Sequence, residues 1–280
     1  VEGPWSVVKE LMENSLDAGA GRVEVSVAGG GFESITVADD GCGMDAEDLS
    51  LAFERYATSK IAGPDDLTAI STLGFRGEAL AAIAAVAQVT VLTRTRDDLL
   101  GLRAEVRNGR VNVSTEGAPR GTTVTVKGLF ADVPARRKFA GAAAAEYRRV
   151  AEVFRRTCLA ATRPAFKLVK DGKLQYAARA DATRRDRVGE VVGWQYLEDV
   201  VGVTAAEGDV SLTAFVSSPR LHFAGTANIY TIINGRSARA KSVFKAVMSA
   251  YDLRMERGRY PLAVIYLDLP AAAVDVNVHP

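Results

Sequence analysis

Apolar positions along the chain switch between two periods, and the switches mark its elements. Residues 7–18 (VVKELMENSLDA) repeat at helical spacing. Val8, Leu11, Met12 and Leu16 form a packing side, while Glu10, Asn14 and Asp17, at i, i+4 and i+7, share the opposite face. Gly19 suits the position just beyond a helix C-terminus. The period then drops to two. Val23, Val25 and Val27 alternate with other residues, Gly29-Gly30-Gly31 turns the chain, and Ile35 and Val37 alternate again. Helix, strand, turn and strand thus lead to Asp39-Asp40-Gly41-Cys42-Gly43-Met44, after which Asp45 can N-cap a helix through Arg55.

Residues 56–77 hold no sustained period and carry Gly63, Pro64, Gly74 and Gly77. A stretch of that length inside a compact domain reads as a lid or binding loop, or as a partly disordered insertion. It runs through Gly74-Phe75-Arg76-Gly77-Glu78 into a helix over 79–87, where backbone N–H groups can face an anion. Strands are expected at 88–95, 102–107, 110–115 and 121–127, with an Asn108-Gly109 turn between the second and third. Pro134 fits the first position of a helix, and a long helix is expected over 144–161. Strands at 166–169 and 174–177 flank an Asp171-Gly172 turn. The polar, basic stretch 178–187 is the candidate domain junction. Beyond it the pattern predicts a short helix at 187–193, strands at 199–204, 209–217 and 228–234, a helix at 240–252 and a strand at 262–269. Mixed elements in both halves predict two layered α/β domains, 1–182 and 183–280.

Composition adds bounds. At 48% hydrophobic and 25% charged, the 280-residue chain has a globular balance and can bury a sizeable core. A net charge of +1 means that any nucleic-acid surface must come from local clusters. The strongest are Arg136-Arg137-Lys138 and Arg236, Arg239, Lys241 and Lys245. Solvated basic faces would account for them equally. Two distant cysteines and two isolated histidines argue against a disulfide framework or zinc site and suit a reducing compartment. No apolar run reaches membrane-spanning length and no signal peptide opens the chain, so a cytoplasmic, nucleoid-associated location is expected, with no membrane partner. An opening Val1 and a patterned end at Pro280 read as a fragment of a longer protein.

Four blocks stand in one order: Glu10 and Asn14 on a helix, Asp39-x-Gly-x-Gly after a strand, a glycine-rich stretch entering a helix, and Gly121-Thr122-Thr123 on a late strand. This order resembles the GHKL ATP-binding fold of type II topoisomerases, the ATP-driven heat-shock chaperone, histidine kinases and MutL mismatch-repair proteins. The finer blocks look like the N-terminal region of MutL. They are VVKELMENSLDAGA (7–20), DDGCGM (39–44), ATSKI (57–61), GFRGEAL (74–80), PARRKF (134–139), NGR (234–236) and DVNVHP (275–280). The fold implied is α+β: a two-layer α/β sandwich of the GHKL (Bergerat) type, then a smaller α/β domain of ribosomal-protein-like βαβ type.

The resemblance implies ATP and Mg²⁺ as cofactors. Glu10 would be the general base that activates the attacking water, and Asn14 an oxygen ligand to Mg²⁺. Asp39 would accept a hydrogen bond from the adenine amino group. Gly41, Gly43 and Met44 would line the base, the glycines letting backbone approach it, and Thr122 would complete the pocket. Thr58, Ser59, Lys60, Gly74, Phe75, Arg76 and Gly77 would close over the phosphates. No GxxxxGK[ST] occurs, so phosphate binding is not of the P-loop kind.

The implied activity is a slow ATPase acting as a switch: Mg-ATP orders the lid and drives homodimerisation. The implied partners are DNA, bound non-specifically through its backbone, a mismatch-recognition protein of the MutS type, and a downstream nuclease or helicase. Arg136, Arg137, Lys138, Arg236, Arg239 and Lys241 are the candidate DNA contacts. Two rivals remain: a clamp with a degenerate nucleotide site, and a topoisomerase-type ATPase half. The chain departs from the family pattern at Gly3, where arginine is usual, at Asp40, where asparagine is usual, and at Tyr56, where histidine is frequent. A lysine that follows the HP of DVNVHP in the family is absent, and a chain ending at Pro280 is expected to hydrolyse more slowly.

Overall fold

The computed structural model describes residues 1–53, 79–107 and 109–270. The chain divides into two compact units: residues 1–155 with 163–181, and residues 156–162 with Ala182 onward.

The first unit opens with α1 (Pro4–Asp17), β1 (Arg22–Ala28), β2 (Ser34–Asp39) and α2 (Ala46–Leu51). After α3 (Ala79–Ala84) come β3 (Gln88–Arg94), β4 (Gly101–Arg107), β5 (Arg110–Glu116) and β6 (Gly121–Lys127). It closes with α4 (Pro134–Phe139), α5 (Ala143–Ala160), β7 (Ala165–Lys170) and β8 (Lys173–Ala178), the last turn of α5 falling in the second unit. The eight strands form one sheet in the order β5-β4-β3-β6-β2-β1-β7-β8, in which only β1 and β7 run parallel.

Alternation decides which sheet face is covered. Val23, Val25 and Val27 of β1, Ile35 and Val37 of β2, and Val89 and Val91 of β3 are all buried. Helix α1 lies against β1 and β2 through Pro4, Val7, Val8, Leu11, Met12 and Ser15. This corrects the expected stripe: the helix starts three residues earlier, with Pro4 at N1, and Leu16 is only half-buried. The buried set follows i, i+3, i+4, i+7, i+8 and i+11, so position 15 continues it and position 16 falls on its flank. At the N-cap, Gly3 is extended (φ 177°) and has no side chain to offer, Ser6 Oγ accepts from its N–H at 3.3 Å, and the first turn holds no acidic residue.

Helix α2 is capped as expected, Asp45 Oδ1 accepting from the N–H groups of Glu47 and Asp48 at 2.9 Å each. It ends at Leu51 rather than Arg55. Asp171 (φ 46°) and Gly172 (φ 76°) form the expected turn between β7 and β8, both residues left-handed as a two-residue hairpin requires.

The second unit contains α6 (Arg184–Val192), β9 (Val200–Glu207), β10 (Val210–Ser217), β11 (His222–Phe223), β12 (Ile229–Ile233) and β13 (Arg236–Ala238). It continues through α7 (Lys241–Ala250), β14 (Tyr260–Pro261) and β15 (Ala263–Asp268). Its five-stranded sheet has the order β13-β12-β15-β10-β9, with β12 and β15 parallel. The connection between them carries α7, whose Val247 packs with Ala214, Ile229, Ala263 and Ile265. The NGR block becomes the β12–β13 hairpin: Asn234 (φ 48°) and Gly235 (φ 74°) turn the chain. The Asn234 amide also donates to the Leu269 carbonyl at 2.9 Å and accepts from the Leu269 N–H at 2.7 Å. The architecture is α+β, a two-layer α/β sandwich followed by a smaller α/β unit.

Candidate functional site

The site is built where β2 ends beside α1 and β6. Asp39 is the last residue of β2 and pairs in register with Thr122, the second residue of β6. Its Oδ1 accepts from the N–H of Gly41 at 2.9 Å and of Thr122 at 3.3 Å. Ser15 Oγ stands 2.8 Å from Oδ2 and 3.1 Å from the Leu11 carbonyl, so its single proton serves one or is shared. Burial pushes the Asp39 carboxyl above its ordinary value, the Asp40 charge adding to this, while the Gly41, Ser15 and Thr122 donors oppose it. An ionised carboxylate offers about four acceptor positions, and these donors fill at most three. At least one on Oδ2 is left for an N–H donor, such as the amino group of a nucleobase.

The loop after Asp39 is pressed against neighbouring backbone. Gly43 has φ +77°, and a Cβ there would stand 2.2 Å from the Arg94 carbonyl oxygen. A Cβ on Gly121 (φ +103°) would stand 2.0 Å from the Asp39 carbonyl oxygen. Cys42 N–H donates to the Ala18 carbonyl at 3.0 Å, and Met44 N–H donates to Thr93 Oγ1 at 2.8 Å. Thr93, 0% exposed, also has its hydroxyl 3.2 Å from the Gly121 carbonyl and 3.1 Å from Thr122 Oγ1. Met44, Thr93 and Thr122 are thereby joined in one network. Gly43→Ala is expected to cost about 3 kcal/mol or more, combining left-handed strain with overpacking, and thermal unfolding measures it.

Glu10 and Asn14 lie one turn apart on α1, both half-buried. Burial raises the pKa of the neighbouring Glu13, against Lys9, whose ammonium is 3.5 Å away, and with the carboxylates of Glu10 and Asp17. The helix therefore carries a concentration of negative charge that favours a cation. Among the described residues no three His, Cys, Asp or Glu side chains are grouped to hold a metal. Mg²⁺ keeps several waters and takes one or two protein oxygens beside substrate phosphates. The Asn14 side-chain oxygen is of the right kind.

The structure thus brings Asp39, Gly41, Gly43, Met44 and Thr122 together, with Glu10 and Asn14 on the helix that Ser15 and Ala18 tie to them. Thr58, Ser59, Lys60, Gly74, Phe75, Arg76 and Gly77 lie outside the described residues, as does DVNVHP. Arg136, Arg137 and Lys138 form the exposed last turn of α4, the Arg137 guanidinium lying 3.8 Å over the Phe32 ring. In the second unit, Arg236 lies on β13, Arg239 follows it, and Lys241 begins α7.

Sequence reading missed Ser15, Thr93 and Asp40. Ser15 is the polar member of the buried α1 set, and Thr93 the polar member of the inward series Val89, Val91, Thr93; a lone hydroxyl in an apolar series was the available signal. Asp40 Oδ1 accepts from the N–H groups of Gly21 and Arg22 at 2.8 and 2.7 Å, fixing the start of β1.

Two family models match the chain. The one described as histidine kinase-, DNA gyrase B-, and HSP90-like ATPase covers residues 1–116, and the one described as DNA mismatch repair protein, C-terminal domain, covers residues 188–280. The DNA mismatch repair protein MutL of Pelotomaculum thermopropionicum is 44% identical over the whole chain, and that of Geotalea daltonii 43%. The chain spans 46% and 47% of those two proteins, about half their length. Among solved structures, the Aquifex aeolicus MutL ATPase domain complexed with ADP superposes with a TM-score of 0.72 at 27% identity, covering 98% of this chain and 99% of that one. The N-terminal domain of a DNA repair protein superposes with a TM-score of 0.84 at 22% identity, covering 100% of this chain and 87% of that one, a likeness of fold alone.

Proposed function

Because the chain belongs to the MutL family of DNA mismatch repair proteins, we propose that residues 1–182 form an ATPase domain and residues 183–280 a second domain, together a nucleotide-operated switch. The observation that carries this reading is the Asp39 carboxylate. Up to three protein donors orient it at the end of β2 and leave an acceptor open. An acceptor there matches the amino group of adenine and not the carbonyl that guanine carries at that place. The ADP held by the Aquifex domain supports the same nucleotide class.

In this reading Glu10 takes a proton from the attacking water, and Asn14 is the protein's oxygen ligand to Mg²⁺. Gly41, Gly43, Met44 and Thr122 line the base, and Thr58, Ser59, Lys60, Gly74, Phe75, Arg76 and Gly77 close over the phosphates. Mg-ATP favours a state in which two N-terminal regions associate, and hydrolysis releases them. A mismatch-recognition protein of the MutS type and a downstream nuclease or helicase would read that state. The test is nucleotide-dependent association by light scattering. A shift from monomer to dimer with ATP, but not with GTP, is expected; an unchanged mass with ATP would overturn the switch.

Arg136, Arg137, Lys138, Arg236, Arg239 and Lys241 are the proposed contacts to DNA phosphates. With about six phosphate contacts, a slope of about −0.9 per contact implies a roughly 2,000-fold affinity loss over an approximately fourfold rise in salt. Arg136→Glu with Lys138→Glu should flatten that slope by about two. A titration with no salt dependence would remove the DNA role.

A further inference from the structure

The helix that carries Glu10 and Asn14 has no carboxylate of its own at its N-terminus, where Ser6 Oγ accepts from the Glu2 and Gly3 N–H groups. Gly3 supplies no capping side chain, and the first turn contains no acidic residue. Pro4 at N1 brings no N–H, and Ser6 Oγ is occupied with the Gly3 backbone, 2.9 Å from its carbonyl and 3.3 Å from its N–H. Helix N-termini carry about half a positive charge together with unpaired N–H groups, so a nearby carboxylate is what the position lacks.

One stands there. Glu146, near the start of α5, is 2% exposed, an unusual burial for a carboxylate. Its Oε1 accepts from Arg149 at 2.9 Å. Its Oε2 is buried without a hydrogen-bond partner among the described residues. This unpartnered oxygen lies 3.0 Å from the point where a Cβ on Gly3 would be, and the edge of the Trp5 indole lies 3.4 Å from the same point. A buried carboxylate oxygen is expensive to leave unpaired, and here it faces the positive end of the helix.

We propose that Glu146 is a positioning residue for ATP hydrolysis: its carboxylate anchors the N-terminus of α1 and so sets where Glu10 stands. The far end of the helix is already tied to the base pocket through Ser15 and Ala18. Glu10 lies two turns, roughly 10 Å, along the helix from Gly3, between the two attachments. The pocket-side attachment governs nucleotide affinity; the Glu146 attachment governs the rotation and axial placement of the base. Small displacements of a catalytic group cost rate steeply.

The inference rests on Glu10 being the general base, and the experiment separates the two. In the full-length protein, Glu146→Gln keeps shape and volume and removes the charge. Its kcat should fall about five- to fiftyfold with the Kd for ATP within twofold of the parent. Combining Gly3→Asp with Glu146→Ala, which removes the atom 3.0 Å from the new Cβ, returns a carboxylate to the N-cap, in an extended backbone that any residue adopts, and should restore kcat to within about threefold. With every tryptophan except Trp5 replaced by phenylalanine as background, Trp5 emission should shift in Glu146→Gln and return with Gly3→Asp. Unchanged kcat in Glu146→Gln, or a loss that Gly3→Asp does not restore, would overturn the proposal. Should Glu10→Ala itself retain parental turnover, the base assignment falls instead, and the Trp5 signal still reports whether Glu146 holds the helix.

Discussion

Replacing Glu10 by alanine should lower ATP turnover by about 10²–10⁴-fold while leaving nucleotide affinity close to that of the unchanged chain. Glu10 sits on the half-buried face of α1, and the acceptor for the base belongs to Asp39 on β2. The two tasks rest on different side chains, so kcat and Kd should separate. Asn14→Ala supplies the contrast: a lost metal ligand should weaken Mg-ATP binding as well as rate. Phosphate release at saturating ATP, with affinity measured by equilibrium titration, checks both. Equal rates for Glu10→Ala and the parent would favour a clamp with a degenerate site over an ATPase.

The second large effect is expected at Asp39. Asp39→Asn retains an oxygen for the Gly41 and Thr122 N–H groups and places an NH₂ where Oδ2 was. Ser15 can then give its proton to the Leu11 carbonyl, 3.1 Å away, and accept from the new amide, so the fold should survive. The base, however, meets a donor in place of an acceptor. Losing a hydrogen bond to a charged group costs about 1.5–3 kcal/mol, and two facing donors add to that, so ATP affinity should fall about 100-fold or more.

The same carboxyl predicts a pH dependence. Burial raises its pKa above the ordinary 3.8, so the folded chain takes up this proton more readily than the unfolded one. Its contribution to stability is fully present below 3.8 and is lost as pH rises through the raised value. Nucleotide affinity runs the other way, since the base needs the ionised acceptor. Affinity should decline as pH falls through the raised pKa, and Asp39→Asn should abolish that part of the profile. Titrations between pH 7 and pH 4 on both proteins measure it.

Much of this architecture was legible because the chain states it in local rules. The alternation of Val23, Val25 and Val27, the Asp45 cap and the Asp171-Gly172 turn each depend on a few neighbouring residues, and each recurs in the structure. The candidate site was legible as motifs, because Asp39-x-Gly-x-Gly and the Glu10–Asn14 spacing are local too. What stayed hidden depends on contacts between distant segments. Thr93 became a support for Met44 only once β3 was paired beside β6, and Glu146 met α1 from the other end of the domain. The one-residue error at Leu16 has the same origin, since only the sheet decides which flank of an amphipathic helix is covered.

The single parallel pairing in the large sheet bears on how the chain is made. Arg22 of β1 pairs with Ala165 of β7, so one edge of β1 waits for a partner roughly 140 residues further on. At about 5–20 residues per second, a ribosome needs roughly 7–30 s to deliver it. During that interval the N-terminal helix and its strands expose an unpaired, valine-rich edge of the sort that invites strand addition from other chains. Synthesis of this protein therefore contains a window, between the emergence of β1 and that of β7, in which that edge of β1 lacks its native partner.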